Sequence, residues 1–223
     1  RYCYLGENTV ELKSDKGYLE TLQFAVKKFR DADVIPFNIS LHGGEVTTLS
    51  QDNFREIVAY ISDYYKQNGQ LIRENGFKVN KPHIKTNLFS LERHLDTIRD
   101  YDVSISGSLD LPLSLHDKYR VTKGGKGTLE TILRNIELLN SLPNRKKVSS
   151  TIFKEHFDHL DEIVADIKYL AENTSLDMND FNFMIGFTPQ TEGEVKLTAL
   201  DEECQVALYQ RMRAEFEGTS LEA

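Results

Sequence analysis

The sequence predicts an α/β fold built on a parallel sheet. Four segments carry apolar residues at the i, i+3, i+4, i+7 spacing of an amphipathic helix, and five short runs between the helices have the length and composition of strands. Strands that alternate with helices of this length indicate right-handed βαβ units, which wind a sheet into either an open doubly wound form or a barrel. The 223 residues are enough for one sizeable core.

The predicted elements follow one another along the chain. Apolar stripes mark four helices: Leu19, Leu22, Val26 and Phe29; Phe54, Ile57, Val58, Ile61, Tyr64 and Tyr65; Leu129, Ile132, Leu133, Ile136 and Leu139; Leu160, Ile163, Val164, Ile167 and Leu170. We expect a short helix near 91–99 and a last helix from about 201 to 217. The predicted strands are Phe37–Leu41, His83–Thr86, Val103–Leu109, Lys147–Phe153 and Phe181–Gly186. The polar stretch Gln67–Pro82, with its two Asn-Gly pairs, is predicted to be a loop.

Composition argues against two classes of partner. Lys and Arg number 27 against 35 Asp and Glu, and the net charge of −8 argues against a general nucleic-acid binder, which needs a basic face. No apolar run approaches about 20 residues, so no membrane-spanning helix is expected.

Two cysteines cannot form a disulfide framework, which makes a reducing cytoplasm the default location. The six histidines show no zinc-binding spacing.

The segment His42-Gly43-Gly44-Glu45 follows the predicted strand Phe37–Leu41. Ligands of parallel α/β folds bind outside the carboxyl ends of the strands. Two glycines allow a ligand to approach the backbone, and the Glu45 carboxylate suits an ammonium group. The alternative is a tight strand-to-helix turn with a solvated Glu45.

A second polar segment follows the third predicted strand. It runs from Ser108 through Pro112 to His116 and Arg120. The Arg120 guanidinium could clamp a carboxylate with two parallel hydrogen bonds. The alternative is an ion pair between Arg120 and a surface aspartate, Asp110 or Asp117.

Three further features favour structural interpretations. The run Lys123–Thr128 lacks the spacing of a phosphate-binding loop, and we expect Thr128 to cap a helix that begins at Leu129. His156 and His159 are predicted to lie on the surface. Cys204 is predicted to be a structural residue.

Taken in order, these segments resemble the radical S-adenosylmethionine (radical SAM) enzymes, most closely the branch that modifies peptides and proteins and usually carries a C-terminal SPASM-type domain. Tyr2-Cys3-Tyr4 resembles the end of that family's cysteine loop, in which three thiolates hold a 4Fe–4S cluster. His42-Gly43-Gly44-Glu45 resembles its Gly-Gly-Glu motif, which binds the amino group of SAM. Thr86-Asn87 resembles the family's Thr-Asn-Gly motif, with Leu88 in place of Gly. A later series of family motifs resembles Ser108-Leu-Asp-Leu-Pro112, His116, Arg120 and Gly127-Thr128 in the same order, with Leu111 in place of Gly.

The resemblance implies a partial (β/α)6 TIM-like barrel of parallel strands whose first strand is missing. Residues 1–223 would form an incomplete radical SAM core, with two further cluster cysteines expected before Arg1 and a SPASM-type domain expected after Ala223. The implied metal ligand is Cys3, and the implied cofactor-binding residues are Tyr2, His42, Gly43, Gly44, Glu45, Asn87, Ser108 and Arg120. Ser108 would lie near the SAM carboxylate, and Arg120 would pair with it.

The implied activity is that of an oxidoreductase. The full-length protein would reductively cleave SAM at a 4Fe–4S cluster and modify a peptide or protein side chain, with an electron donor such as flavodoxin or ferredoxin. The fragment itself is expected to be inactive. Two alternatives stay open: an α/β binding fragment without a cluster or redox activity, and an unrelated parallel α/β enzyme. The sequence identifies neither the substrate nor a catalytic base.

Overall fold

Five parallel strands form one sheet in the computed structural model, which describes residues 17–42, 44–186, 197–219 and 221. The strands are β1 Ser40–Leu41, β2 His83–Thr86, β3 Ser104–Ser108, β4 Lys146–Ile152 and β5 Phe181–Ile185. Each strand pairs with the next one in the chain, in the order β1-β2-β3-β4-β5. Successive right-handed crossovers in this order place the connecting helices on one face, as in a barrel. Over the described residues the barrel is not closed.

Eight helices and three 3₁₀ segments are described. The helices are α1 Gly17–Asp31, α2 Gln51–Glu74, α3 Leu95–Asp100, α4 Leu113–Tyr119, α5 Leu129–Asn140, α6 Lys154–Phe157, α7 Leu160–Asn173 and α8 Glu202–Phe216. The 3₁₀ segments are Val46–Thr48, Leu91–His94 and Met178–Asp180. None of the helices in the described ranges combines the length and the apolar character needed to cross a bilayer.

The two faces of the sheet differ in character. Side chains alternate between the faces along each strand. Ile84, Ile105, Val148 and Ile152 point towards the helices and are buried in the main core. The opposite face carries polar residues, among them Ser106, and is at least partly exposed. This polar face is called the open face below.

The prediction that Gln67–Pro82 forms a loop is wrong over the first half of this stretch, because α2 continues to Glu74. Ile72 is fully buried there, so burial of the helix outweighs the weak helical preference of the preceding Gly69. The predicted turn at Asn75-Gly76 is confirmed, with Gly76 at a φ of +82°.

One strand, one side chain and two short helices differ from prediction. The predicted strand Phe37–Leu41 is reduced to β1, since the Ile39 N–H donates to the Tyr65 hydroxyl at 2.6 Å instead of to a strand. The other four strands lie within one residue of prediction. Phe29, predicted to be in the apolar stripe of α1, is 53% exposed. The short helices α4 and α6 were not predicted.

Candidate cofactor site at the carboxyl ends of the strands

The Glu45 carboxylate joins the ends of β1 and β2. Its Oε1 accepts hydrogen bonds from the Thr47 N–H at 3.1 Å, the Thr47 hydroxyl at 2.7 Å and the Thr86 hydroxyl at 2.7 Å. Its Oε2 accepts from the Asn87 N–H at 2.6 Å. Glu45 also precedes the 3₁₀ segment Val46–Thr48 as its N-cap. The side chain is therefore fixed in one orientation by one residue of the 3₁₀ segment and two residues at the end of β2.

This hydrogen bonding limits what Glu45 can still bind. A carboxylate offers about four lone-pair sites, two on each oxygen. Oε1 already receives three donors, whereas Oε2 receives one from Asn87. A further donor, such as a ligand ammonium, has room only at Oε2.

Leu88, which follows Asn87, occupies a left-handed backbone conformation with a φ of +67°. This conformation favours glycine, the residue that the resembling motif carries there. The Leu88 side chain is fully buried and lies against Gly107, where any Cβ would come within 2.7 Å of it. The buried Asn135 amide donates to the Leu88 carbonyl at 2.7 Å. The replacement of glycine is thus accommodated by a small residue on β3 and by a hydrogen bond from α5.

The third strand end carries Ser108 and an ion pair. Ser108 is the last residue of β3 and half-buried. Arg120 donates from Nε to Asp110 Oδ2 at 2.8 Å and from Nη2 to Asp110 Oδ1 at 2.9 Å. The Asp110 side chain is fully buried, and that of Arg120 is 20% exposed. The ion pair considered from the sequence is therefore present, but it is buried.

His116 continues this network behind the ion pair. Its Nδ1 accepts from the Asp110 N–H at 3.2 Å, so the proton is assigned to Nε2, which lies 3.3 Å from the Thr128 hydroxyl. The Thr128 hydroxyl in turn donates to the Arg120 carbonyl at 3.0 Å. Burial lowers the pKa of His116. A neutral imidazole therefore connects the Asp110 backbone to the start of α5.

Thr128 occupies the N-cap position of α5, but its side chain does not cap the helix. Asp117 does so, because its Oδ1 accepts from the N–H groups of Thr128 at 2.7 Å and Leu129 at 2.9 Å. Gly127 is required beside it, since a Cβ would lie 2.1 Å from Asp117 Oδ2. The predicted cap is wrong because the Thr128 hydroxyl bonds Arg120 instead.

The remaining predicted site residues are four cofactor-binding residues and the metal ligand Cys3. Tyr2, Cys3 and Gly43 lie outside the described residues. His42 and Gly44 are exposed, and Gly44 has a φ of +68°. Across the described part of the chain, no group of three or more His, Cys, Asp or Glu side chains could hold a metal ion.

Three predictions about single residues concern positions away from this edge. His156 is fully buried, contrary to prediction, because its Nδ1 accepts from the Phe153 N–H at 3.0 Å at the start of α6. His159 is partly exposed at the surface, as predicted, and its Nδ1 contacts Glu162. Cys204 is buried and accepts a hydrogen bond from Lys154 Nζ at 2.8 Å, consistent with a structural residue.

The chain is similar to two curated proteins and to several solved structures. No family model matches the chain. A cysteine-type anaerobic sulfatase-maturating enzyme of Clostridium novyi is 27% identical over 169 residues, which are 73% of this chain and 42% of that protein. An uncharacterised protein of Synechocystis sp. is 26% identical over 219 residues, 96% of this chain and 50% of that protein. The chain thus spans about half the length of the curated relatives it matches.

The solved structures share the fold. One of anSMEcpe, a sulfatase-maturating enzyme, with bound AdoMet matches with a TM-score of 0.62 at 18% identity and covers 96% of this chain and 54% of that one. Another, with bound AdoMet and the Cp18Cys peptide, matches with a TM-score of 0.58 at 16% identity and covers 78% and 45%. The resemblance to the radical SAM maturases is confirmed. The predicted partial barrel of parallel strands is confirmed with it.

The radical SAM resemblance also implied where the motif residues should lie. Glu45, Asn87 and Ser108 follow or end β1, β2 and β3, at the carboxyl edge of the sheet. Thr86 pairs in register with Gly107, which makes Asn87 and Ser108 neighbours. Sequence analysis missed Thr47 as a partner of Glu45, Asp117 as the cap of α5, and Asn135 as a partner of Leu88.

Proposed function

We propose that this chain is the core of a radical SAM enzyme that reductively cleaves SAM at a 4Fe–4S cluster and modifies a peptide or protein side chain. The observation that carries the proposal is the Glu45 carboxylate, held by four donors from the 3₁₀ segment Val46–Thr48 and the end of β2, with room for one more at Oε2. The AdoMet bound by anSMEcpe, which shares this fold, supports the same ligand class.

The chain's residues have distinct proposed roles toward SAM. Glu45 Oε2 accepts a hydrogen bond from the SAM ammonium, a charge-assisted contact. The Ser108 hydroxyl, at the neighbouring strand end, donates to the SAM carboxylate. Asn87 orients Glu45 through its backbone N–H. The exposed His42 and Gly44 leave the ligand space to approach the backbone.

Arg120 is proposed to contact the SAM carboxylate while Asp110 holds it. The two parallel hydrogen bonds fix the plane of the guanidinium, and the exposed fifth of the side chain is the part that a ligand can reach. Because Asp110 neutralises its charge, Arg120 would recognise the carboxylate through donor geometry more than through net charge. Asp110 is thus a positioning residue.

The proposal also includes an iron–sulfur cluster, a peptide substrate and an electron donor. When bound, a 4Fe–4S cluster supplies the electron that cleaves the C–S bond of SAM, and Cys3 is the residue of this chain proposed to ligate it. Tyr2 would lie beside the cofactors. The Cp18Cys peptide bound by anSMEcpe supports a peptide partner. A small electron-transfer protein such as flavodoxin or ferredoxin, and a location in the cytoplasm, complete the proposal.

The experiment is SAM binding to the purified 223-residue chain, measured by calorimetry. A charge-assisted hydrogen bond contributes about 1.5–3 kcal/mol, so Glu45→Gln should raise the SAM dissociation constant about tenfold or more. Glu92→Gln is the matched control, because Glu92 is exposed and pairs only loosely with Arg134 at 3.4 Å. An unchanged dissociation constant in folded Glu45→Gln would leave Glu45 as a structural residue and remove the main support for the proposal.

A further inference from the structure

Two lysines flank Ser106 on the open face of the sheet. Lys85 on β2 is in register with Ser106 on β3, which is in register with Lys147 on β4. Residues in register on neighbouring strands point to the same face, and strands lie about 4.8 Å apart. The two lysine backbones are therefore about 10 Å apart, and both ammonium groups can reach a point above Ser106. Lys85, Ser106 and Lys147 are called the cation row.

A cavity of about 380 Å³ continues from the cation row toward the amino ends of the strands. Its lining includes Lys78, His83, Ser104, Ser106, Arg145 and Lys147, and none of the described residues that line it is acidic. The site is polar on its floor as well, since both ring nitrogens of His83 contact serine hydroxyls, Ser104 at 2.7 Å and Ser106 at 3.2 Å.

Positive charges act on His83 inside this cavity. Burial lowers the pKa of His83, and the charges of Lys85 and Arg145 lower it further. His83 therefore stays neutral and adds no further charge to the cavity. The chain as a whole has a net charge of −8, so the basic side chains around this cavity are a local concentration of positive charge.

Structural contacts explain the positions of some of these basic side chains but not of all of them. Lys81 pairs with Asp102, and Lys146 donates to the Leu142 carbonyl at 2.6 Å. Lys85, Arg145 and Lys147 form no ion pair with any carboxylate of the described residues. Lys85 on β2 and Lys147 on β4 carry like charges on one face of the sheet, with β3 between them. Their juxtaposition therefore points to a negatively charged ligand.

We propose that the cation row binds an acidic side chain of the peptide substrate, with its carboxylate above Ser106 between Lys85 and Lys147. This rests on the proposed function, because it assumes a peptide substrate. Ser106 precedes Ser108 by two residues, so the row lies about 7 Å along the strand from the proposed SAM carboxylate site. An extended peptide advances about 3.3 Å per residue, which places the acidic residue a few positions from the modified one.

The test compares two fluorescent octapeptides of glycine and serine, one with two adjacent glutamates and one with two glutamines in their place. Their binding to the 223-residue chain is measured by anisotropy at low ionic strength. The glutamate peptide should bind about tenfold tighter or more. Lys85→Gln and Lys147→Gln should each reduce that preference, and together abolish it. Lys66→Gln, at a residue 70% exposed on α2, should retain it.

Equal affinities for the two peptides would overturn the proposal, as would tight binding of inorganic phosphate without any peptide preference. A rise in the SAM dissociation constant in Lys85→Gln, with no peptide preference in the parent, would assign the cation row to SAM and also overturn it. The melting temperature of the double variant should not fall, because no favourable ion pair is lost. A chain that prefers the glutamate peptide but binds no SAM would contradict the proposed function and leave this inference standing.

Discussion

The ion pair between Arg120 and Asp110 gives the most direct test of the candidate site. Arg120→Met keeps most of the side-chain volume but removes the two hydrogen bonds that Arg120 donates to a fully buried carboxylate. Leaving one charge of a buried pair without its partner costs about 3–5 kcal/mol. For a chain of 223 residues, 1 kcal/mol corresponds to about 2–4 °C, so the melting temperature should fall by roughly 6–20 °C.

The assay is urea unfolding of the parent, Arg120→Met, Asp110→Asn and the double variant. Asp110→Asn should cost less than Arg120→Met, because the Arg120 side chain left behind is partly exposed and reaches water. The double variant should be more stable than the sum of the single losses predicts, since neither charge is then stranded.

The control is Arg134→Met, which removes an exposed arginine paired with Glu92 at 3.4 Å and should cost at most about 1 kcal/mol. The reasoning is refuted if Arg120→Met unfolds within 1 kcal/mol of the parent, or if the two losses are additive. Either result would mean that the pair is solvated in solution and that Asp110 does not position Arg120.

Three further predictions concern other parts of the molecule. Asp117→Ala should lower the free energy of unfolding by about 1 kcal/mol through loss of the α5 cap, and Thr128→Val should not remove that cap; equal stability of Asp117→Ala and the parent in urea would contradict the assignment. Burial lowers the pKa of His116 and His156, so the folded chain holds them neutral while the unfolded chain takes up protons near pH 6.5. Stability should therefore fall as the pH drops from about 7 to 5, and calorimetry should detect proton uptake on unfolding; flat stability over this range would show that these imidazoles are solvated. The 223-residue chain contains two cysteines, one of them buried in the core, so anaerobic reconstitution should yield no stoichiometric 4Fe–4S cluster. Iron and sulfide at four per chain would show that the register assigned to Cys3 is wrong.

The sequence by itself determined the alternation of helices and strands. The apolar stripes of α2, α5 and α7 and the runs of β2 to β5 are local patterns, because burial of one face imposes its period on neighbouring residues. The same patterns located Glu45, Asn87 and Ser108 at strand ends. Resemblance of the segments in order then indicated the family before any contact was known.

Only the tertiary structure decided which groups meet. Asp110 and Arg120 are ten residues apart, and Asp117 caps a helix that begins twelve residues later, so neither contact belongs to a local period. The fit of Leu88 against Gly107 and the convergence of Lys85 and Lys147 on Ser106 depend on strand register. Register and long-range hydrogen bonds result from the packing of the whole chain, because a donor or a cavity wall can come from any segment that the fold brings near.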